Sequence, residues 1–308
     1  MSPSGTIPTT ITIGKNTPHP ITVNRMGYGT MRLPGPQVWG EPADRPQALQ
    51  ILKRAVAAGV QFLDTADYYG RDVTNRLIAE ALYPYPKGLV ICSKVGAMRR
   101  DDKSWGPWAS PEQLTASIDN NLRTLKLEQL TLVHFRAMPP QPSAAGGLPQ
   151  ARPVPIAESL DAMFELQRQG KILHIGLSNV TPEELLLGLQ KGDIATVENA
   201  YGYSQRTTVT GHGFTLRGGE EVLPLCEQHG IPLIPFFSLL NSLPAGNDKI
   251  DRIAQKYGAS PAQVHLAWLL HRSDLLLPIP GTSKLAHLEE NLSAANLRLT
   301  PEDMQYLE

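Results

Sequence analysis

Asp64, Tyr69, Lys94 and His134 fall one after another where successive strand-like runs end. The first two lie in Phe62-Leu63-Asp64-Thr65-Ala66-Asp67-Tyr68-Tyr69-Gly70. Lys94 closes Leu89-Val90-Ile91-Cys92-Ser93-Lys94, and His134 closes Leu130-Thr131-Leu132-Val133-His134. A carboxylate, a phenol, an amine and an imidazole at consecutive strand ends form a proton-transfer set. Tyr69 is the candidate donor. A free phenol titrates near pH ~10, so it needs an adjacent charge to exchange a proton near neutrality. An ammonium stabilises the phenolate and lowers that value, which suits Lys94. Asp64 can hold Lys94 charged and oriented, and a neutral His134 can hydrogen-bond a substrate oxygen.

The elements that must carry these residues alternate regularly. Ala48 to Ala58 has helical period and stops at Gly59, before the strand Val60 to Leu63. Thr74 to Leu82 is helical, and Pro84 and Pro86 separate it from the strand Leu89 to Ser93. Ser110-Pro111-Glu112 supplies an N-cap and an N1 proline for a helix to Leu125, ahead of the strand Leu130 to Val133. The rhythm continues through the helix Ile156 to Gln169 and the strand Ile172 to Gly176. A helix capped at Thr181 precedes the strand Ile194 to Val197, and Gly219 to His229 precedes Pro232 to Phe236. The helix opened by Ser260-Pro261 precedes Leu275 to Ile279, and a last helix spans Leu285 to Ala294.

With a first strand at Asn24 to Gly29, this makes eight apolar strands separated by helices. Near-continuous apolar strands imply a parallel sheet covered by helices, and eight of them fit an α/β fold of the closed (β/α)8 TIM-barrel type. An open doubly wound sheet is the alternative, but no Gly-x-Gly-x-x-Gly follows the first strand. Residues 1–308 read as a single domain. Within it, residues 1–23 carry a hairpin around Gly14-Lys15-Asn16 that caps the N-terminal mouth, and residues 138–155 form a long βα loop. Barrel chemistry occurs at the C-terminal strand ends, the face shared by the four residues above.

Composition narrows the function further. The formal net charge is −1 and no Lys/Arg block is present, which argues against nucleic acid or an anionic membrane surface as partner. Cys92 and Cys226 are too few for a disulfide framework, and Cys92 lies inside an apolar run, as expected of a buried free thiol. No signal-like start and no membrane-length apolar run are present, so a cytoplasmic setting is expected. No His-x-x-x-His pair or Cys/His cluster stands at ligand spacing, so no metal is expected.

The residues also carry a resemblance. Over nearly its whole length the chain resembles the aldo-keto reductase family, whose Asp, Tyr, Lys and His tetrad reduces a carbonyl with hydride from a nicotinamide cofactor. Asp64 to Gly70 matches the family's Asp-Thr-Ala-x-x-Tyr-Gly segment, and Ser93-Lys94 its lysine strand. His134 matches its histidine, although Gln129-Leu130-Thr131 replaces the usual Asp-Leu-Tyr lead-in. The resemblance implies that Tyr69 is the general acid, with Lys94 and Asp64 behind it and His134 aiming the carbonyl.

It also implies a cofactor site. Gly170 to Asn179 is similar to the fifth-strand signature, so Ser178 and Asn179 are expected to hold the nicotinamide carboxamide. Glu198 stands where the family has Gln, and as an acceptor could still bind the amide NH2. In the Phe236-Phe237-Ser238-Leu239 segment, Phe236 would stack on the nicotinamide, with Ser238 and Leu239 beside it. Gly29, Thr30 and Met31 resemble a backbone contact beneath that ring. Gly281, Thr282, Ser283, Lys284, His287, Glu290 and Asn291 resemble the adenosine-phosphate site. Lys284 and Ser283 near a helix N-terminus suit a 2′-phosphate, favouring NADP(H) over NAD(H).

The substrate pocket must come from βα loops, and Met31, Trp39, Tyr68, Trp105, Trp108 and Phe135 are the expected lining. Met26 to Met31, Glu80 to Pro84 and Phe236 to Leu239 look similar to a bacterial subgroup containing pyridoxal reductases. The expected partner is therefore a small carbonyl substrate, pyridoxal or another aromatic or hydrophobic compound, handled by a monomer or small homo-oligomer. A redox-sensing subunit with little turnover, and a barrel lyase or isomerase using Lys94 as a Schiff base, stay open as alternatives.

Overall fold

The computed structural model describes residues 7–138, 154–211, 214–239 and 248–308. Its strands are β1 (Thr10–Ile13), β2 (Ile21–Asn24), β3 (Tyr28–Gly29), β4 (Phe62–Asp64), β5 (Val90–Arg99), β6 (Trp105–Trp108), β7 (Leu130–Arg136), β8 (Ile172–Ser178), β9 (Thr196–Ala200), β10 (Val209–Gly211), β11 (Phe214–Leu216) and β12 (Leu233–Phe236). The helices are α1 (Arg45–Ala57), α2 (Val73–Leu82), α3 (Pro111–Leu125), α4 (Ile156–Arg168), α5 (Pro182–Lys191), α6 (Gly219–His229), α7 (Asp248–Tyr257), α8 (Pro261–Arg272), α9 (Leu285–Ser293) and α10 (Pro301–Leu307).

Strands β3, β4, β5, β7, β8, β9 and β12 run parallel in that spatial order. The segment 275–279 closes the ring. Leu276 bridges Leu233 in parallel, Leu277 N donates to Leu233 O at 3.0 Å, and Gly27 N donates to Pro278 O at 2.9 Å. The molecule is a (β/α)8 barrel. The closing strand is reduced to this thin set of bonds because Pro278 and Pro280 have no N–H to donate.

Alternation of side chains along each strand splits the core in two. Leu63, Ile91, Val133, Ile175, Val197 and Leu233 point outward and pack with Ile51, Leu77, Ile118, Leu160, Leu185 and Leu223 of the helices. Phe62, Cys92, Leu132, Ile234 and Leu277 point inward and join Ile11, Ile13 and Val23 of the β1–β2 hairpin. The hairpin pairs Thr10 with Asn24, as its alternating pattern requires. Its turn at Gly14, φ +62°, sits against the His174 ring near the start of β8, so it plugs the N-terminal mouth. A Cβ on Gly14 would lie 2.7 Å from that ring.

The capping signals act as read. Ser110, Thr181 and Ser260 each accept from the N3 backbone and complete capping boxes. Four features were not expected from the sequence: α7, α10, the β10–β11 hairpin, and β6, which folds back antiparallel on an extended β5 with Arg99 opposite Trp105. Most of the expected 138–155 loop lies outside the described residues.

Candidate active site

Asp64 ends β4, Lys94 lies in β5, His134 in β7 and Glu198 in β9, and strand alternation turns all four inward. Lys94 and His134 are direct neighbours across the β5–β7 ladder. All four side chains are buried, so their charges interact with little help from water.

Lys94 is the hub. Its Nζ donates to Asp64 Oδ1 and, at 3.3 Å, to the Thr65 carbonyl, and it lies 3.3 Å from Glu198 Oε1. Burial opposes the ammonium, but Asp64 and Glu198 outweigh burial and raise Lys94 well above the ordinary lysine value. The two carboxylates part company. Burial and the Glu198 charge push Asp64 upward against the pull of Lys94. Burial also opposes Glu198, yet Lys94 and His134 hold it below the usual carboxylate range. The two carboxylates and Lys94 titrate as one coupled group.

Glu198 differs from the expectation here. Its Oε2 lies 2.9 Å from His134 Nδ1 without an aligned hydrogen bond, and its Oε1 faces Lys94, so the carboxylate is part of the buried charge cluster around Lys94. A neutral Gln could not balance Lys94 in this way. The sequence marks the departure from the family's Gln but not where the side chain turns.

Tyr69 follows β4 on a loop held by Gly70, φ +67°, where a Cβ would meet Pro34 at 2.8 Å and Val73 at 2.9 Å. The Lys94 Nζ is 5.4 Å from the Tyr69 ring centre. Lys94 does pull the phenol down, as expected, but burial is the larger effect and, with the Asp64 and Glu198 charges, leaves Tyr69 raised. The phenol is thus held protonated.

His134 is enclosed by protein groups. Its Nε2 lies 2.8 Å from Thr196 Oγ1 and its Nδ1 3.1 Å from Cys92 Sγ, so both ring nitrogens face protein groups and neither faces the mouth. Burial keeps the imidazole neutral against the pull of Glu198. Gly176 explains the ring's position: a Cβ there would stand 2.3 Å from His134 Cδ2.

The expected cofactor residues divide. Ser178 Oγ accepts from Arg136 Nη1 at 3.1 Å, and the Arg136 guanidinium lies 4.9 Å from the Phe236 ring centre. Asn179 is left-handed, φ +61°, which Asn tolerates. Its amide is engaged with the backbone of Ala137, Thr215 and Arg217, so it braces the β10–β11 hairpin. Thr30 donates from both N and Oγ1 to the Asp64 carbonyl, at 2.9 and 2.7 Å, fixing the end of β4. Gly29 and Gly281 pass closely: a Cβ on Gly281 would lie 2.6 Å from the Gly29 carbonyl. Ser238 is buried, and Leu239 and Met31 are partly buried beside the barrel.

At the α9 N-terminus, Thr282 is buried, Ser283, Lys284 and His287 are exposed, and Asn291 is buried. Thr282 Oγ1 accepts from Lys284 N, and Gln47 Nε2 donates to the Ser283 carbonyl. The Glu290 carbonyl accepts from Gln263. No side chain caps α9 and its first turn holds no acid.

The family model described as the aldo/keto reductase family matches residues 25–308. The chain belongs to that family. This aldo-keto reductase is 41% identical over 287 residues to the pyridoxine 4-dehydrogenase of Escherichia coli (strain K12), covering 93% of this chain and 94% of that one. It is similar to a thermostable aldo-keto reductase solved with the inhibitor epalrestat, at 26% identity and TM-score 0.79, covering 97% and 98% of the two chains. It shares its fold with an aldo-keto reductase of Klebsiella pneumoniae solved with NADPH, at 23% identity and TM-score 0.75, covering 98% and 94%.

Of the reductase's expected pocket residues, Tyr68 and Trp105 meet edge to face at 5.7 Å, and Tyr68 meets Tyr69 at 5.3 Å. Arg99 stacks on Trp105 at 4.2 Å and reaches Trp39 at 5.9 Å. Trp105 and Trp108 belong to β6, not to an irregular loop. Phe135 requires correction: as the neighbour of inward-facing His134 it points outward, into the core shared with Leu114 and Ile118. Alternation along β7 was the available signal, and it equally points Arg136, missed from the sequence, toward the mouth.

Asp64, Cys92 and His134 bring potential metal-ligating atoms within 4.8 Å of one another, which sequence spacing could not reveal because each comes from a different strand. Lys94 already supplies the cation at Asp64. Among the described residues, no helix is long and apolar enough to cross a membrane.

Proposed function

We propose that this protein is an NADPH-dependent carbonyl reductase that converts an aldehyde or ketone to the alcohol, with pyridoxal the leading substrate. The observation that carries the reading is Lys94, an ammonium held between Asp64 and Glu198 with its Nζ 5.4 Å from the centre of the Tyr69 ring. The likeness to the E. coli pyridoxine 4-dehydrogenase supports the substrate.

The residues present fit a phosphorylated nicotinamide nucleotide. The α9 N-terminus combines uncapped backbone N–H groups, exposed Ser283 and Lys284, and no acid in its first turn, which suits a 2′-phosphate. Ser178 and Phe236 would receive the nicotinamide end. Bound NADPH would supply the hydride.

Tyr69 donates the proton to the carbonyl oxygen as the carbon is reduced. Its raised pKa keeps it in the donor form, and Lys94 stabilises the phenolate left behind. Asp64 and Glu198 hold Lys94 in place. His134, turned inward, packs beside Glu198, and carbonyl orientation falls to groups nearer the mouth. A Schiff-base role for Lys94 is disfavoured, because an ammonium raised above its ordinary value has no free lone pair.

The test is consumption of NADPH with pyridoxal and with a panel of aromatic aldehydes. Tyr69→Phe should abolish turnover while NADPH still binds. Unchanged turnover in that variant sinks the mechanism.

A further inference from the structure

We propose that Arg136, with the Tyr68 hydroxyl, forms an anion-binding subsite selecting carbonyl substrates that carry an ionised oxygen on the carbon next to the carbonyl-bearing one. The inference rests on the carbonyl-reductase reading above.

Arg136 ends β7, two residues beyond His134 on the same strand face. It is half-buried, and no carboxylate among the described residues lies within ion-pair distance of it. The inward-facing acids of β4 and β9 are committed elsewhere: Asp64 to Lys94, and Glu198 to Lys94 and His134. A guanidinium has five N–H donors in a planar fork, and among the described residues the bond formed is the one from Nη1 to Ser178 Oγ. The guanidinium carbon lies 4.9 Å from the Phe236 ring centre, a contact that uses none of its N–H donors.

Tyr68 provides the second observation. The residue is 5% exposed, and its hydroxyl is buried with no hydrogen-bond partner among the described residues. Buried polar atoms are nearly always satisfied, so an orphan hydroxyl at a site mouth points to a ligand acceptor. Arg136 and Lys94 both act on this phenol electrostatically, which places their fields at its oxygen. Tyr68 and Tyr69 rings are 5.3 Å apart. A carbonyl oxygen at Tyr69 therefore leaves an oxygen on the adjacent carbon within reach of Tyr68. An aromatic aldehyde with an acidic hydroxyl beside the formyl group has this shape, and pyridoxal is one.

Two aldehydes that differ only in that hydroxyl, 3-hydroxypyridine-4-carboxaldehyde and pyridine-4-carboxaldehyde, provide the test. The readout is the ratio of their kcat/KM values at saturating NADPH, from which effects on the shared cofactor site cancel. The wild type should favour the hydroxy aldehyde by about tenfold or more, the scale of a hydrogen bond to a charged group. R136Q should bring the ratio close to one, R136K should keep most of it, and Y68F should lower it by a smaller factor.

A wild type that reduces both aldehydes without preference overturns the inference and leaves the reductase reading standing. So does an R136Q protein that loses both activities equally, since that marks Arg136 as serving only the cofactor. A wild type that reduces neither aldehyde, nor any other carbonyl compound, overturns both.

Discussion

Glu198 Oε1 lies 3.3 Å from Lys94 Nζ, so the buried ammonium stands between two carboxylates rather than beside one. The Glu198 charge raises Tyr69. Replacing Glu198 with Gln removes that charge and lowers the pH at which the phenol loses its proton. Reduction needs the protonated phenol, so the alkaline limb of kcat/KM should move down by about one pH unit. A limb that stays put or moves up contradicts this arrangement.

Lys94→Met leaves Asp64 and Glu198 buried without their cation. Breaking a buried ion pair from one side costs about 3–5 kcal/mol, and the urea midpoint should fall accordingly. Adding Asp64→Asn and Glu198→Gln to the same chain removes the orphaned charges and should restore a large part of the loss. If the triple variant is no more stable than the single one, charge is not the cause.

Gly176→Ala would place a methyl 2.3 Å from His134 Cδ2 and 2.5 Å from Thr196 Oγ1, both buried. Overpacking of this kind costs about 1–3 kcal/mol. Thermal unfolding should show that loss, and turnover should fall with it because the ring packed beside Glu198 is displaced. A fully stable G176A protein would mean that His134 moves freely.

Asp67 gives a pH-dependent prediction. Burial, and then the Asp72 charge, push its carboxyl up to about 8 against hydrogen bonds that favour ionisation, from an ordinary value of 3.8. A folded value above the unfolded one means the native state binds the extra proton. Its contribution is therefore complete below about pH 4 and is lost as pH rises toward 8. Asp67→Asn imitates the protonated form. Its stability relative to wild type should improve between pH 5 and pH 8 by about 1–3 kcal/mol, the cost of a buried unsatisfied polar group. A difference independent of pH would show that Asp67 is already neutral or well solvated.

Much of this molecule was legible in the one-dimensional pattern. Helices were marked by their caps at Ser110, Thr181 and Ser260, and barrel strands by apolar runs, since both signals are local. Asp64, Lys94 and His134 on successive strands imply one mouth as soon as the strands are parallel and adjacent, although β5 and β7 run on past Lys94 and His134. The β5–β6 extension and the β10–β11 hairpin escaped because their strands are short and stabilised by what they pack on. Alternation along β7 turns Phe135 outward into the core and Arg136 inward, a period visible in the sequence itself.

The sequence by itself determined the fold, the family and the four residues offered for proton transfer, because these rest on composition, period and motif. The tertiary structure alone decided what each side chain faces. It turned Glu198 toward Lys94, closed His134 between Thr196 and Cys92, and used Asn179 as a brace. Those outcomes depend on register between strands distant in the chain and on the cost of leaving a buried charge or amide unpaired. Neither can be summed from neighbours along the sequence.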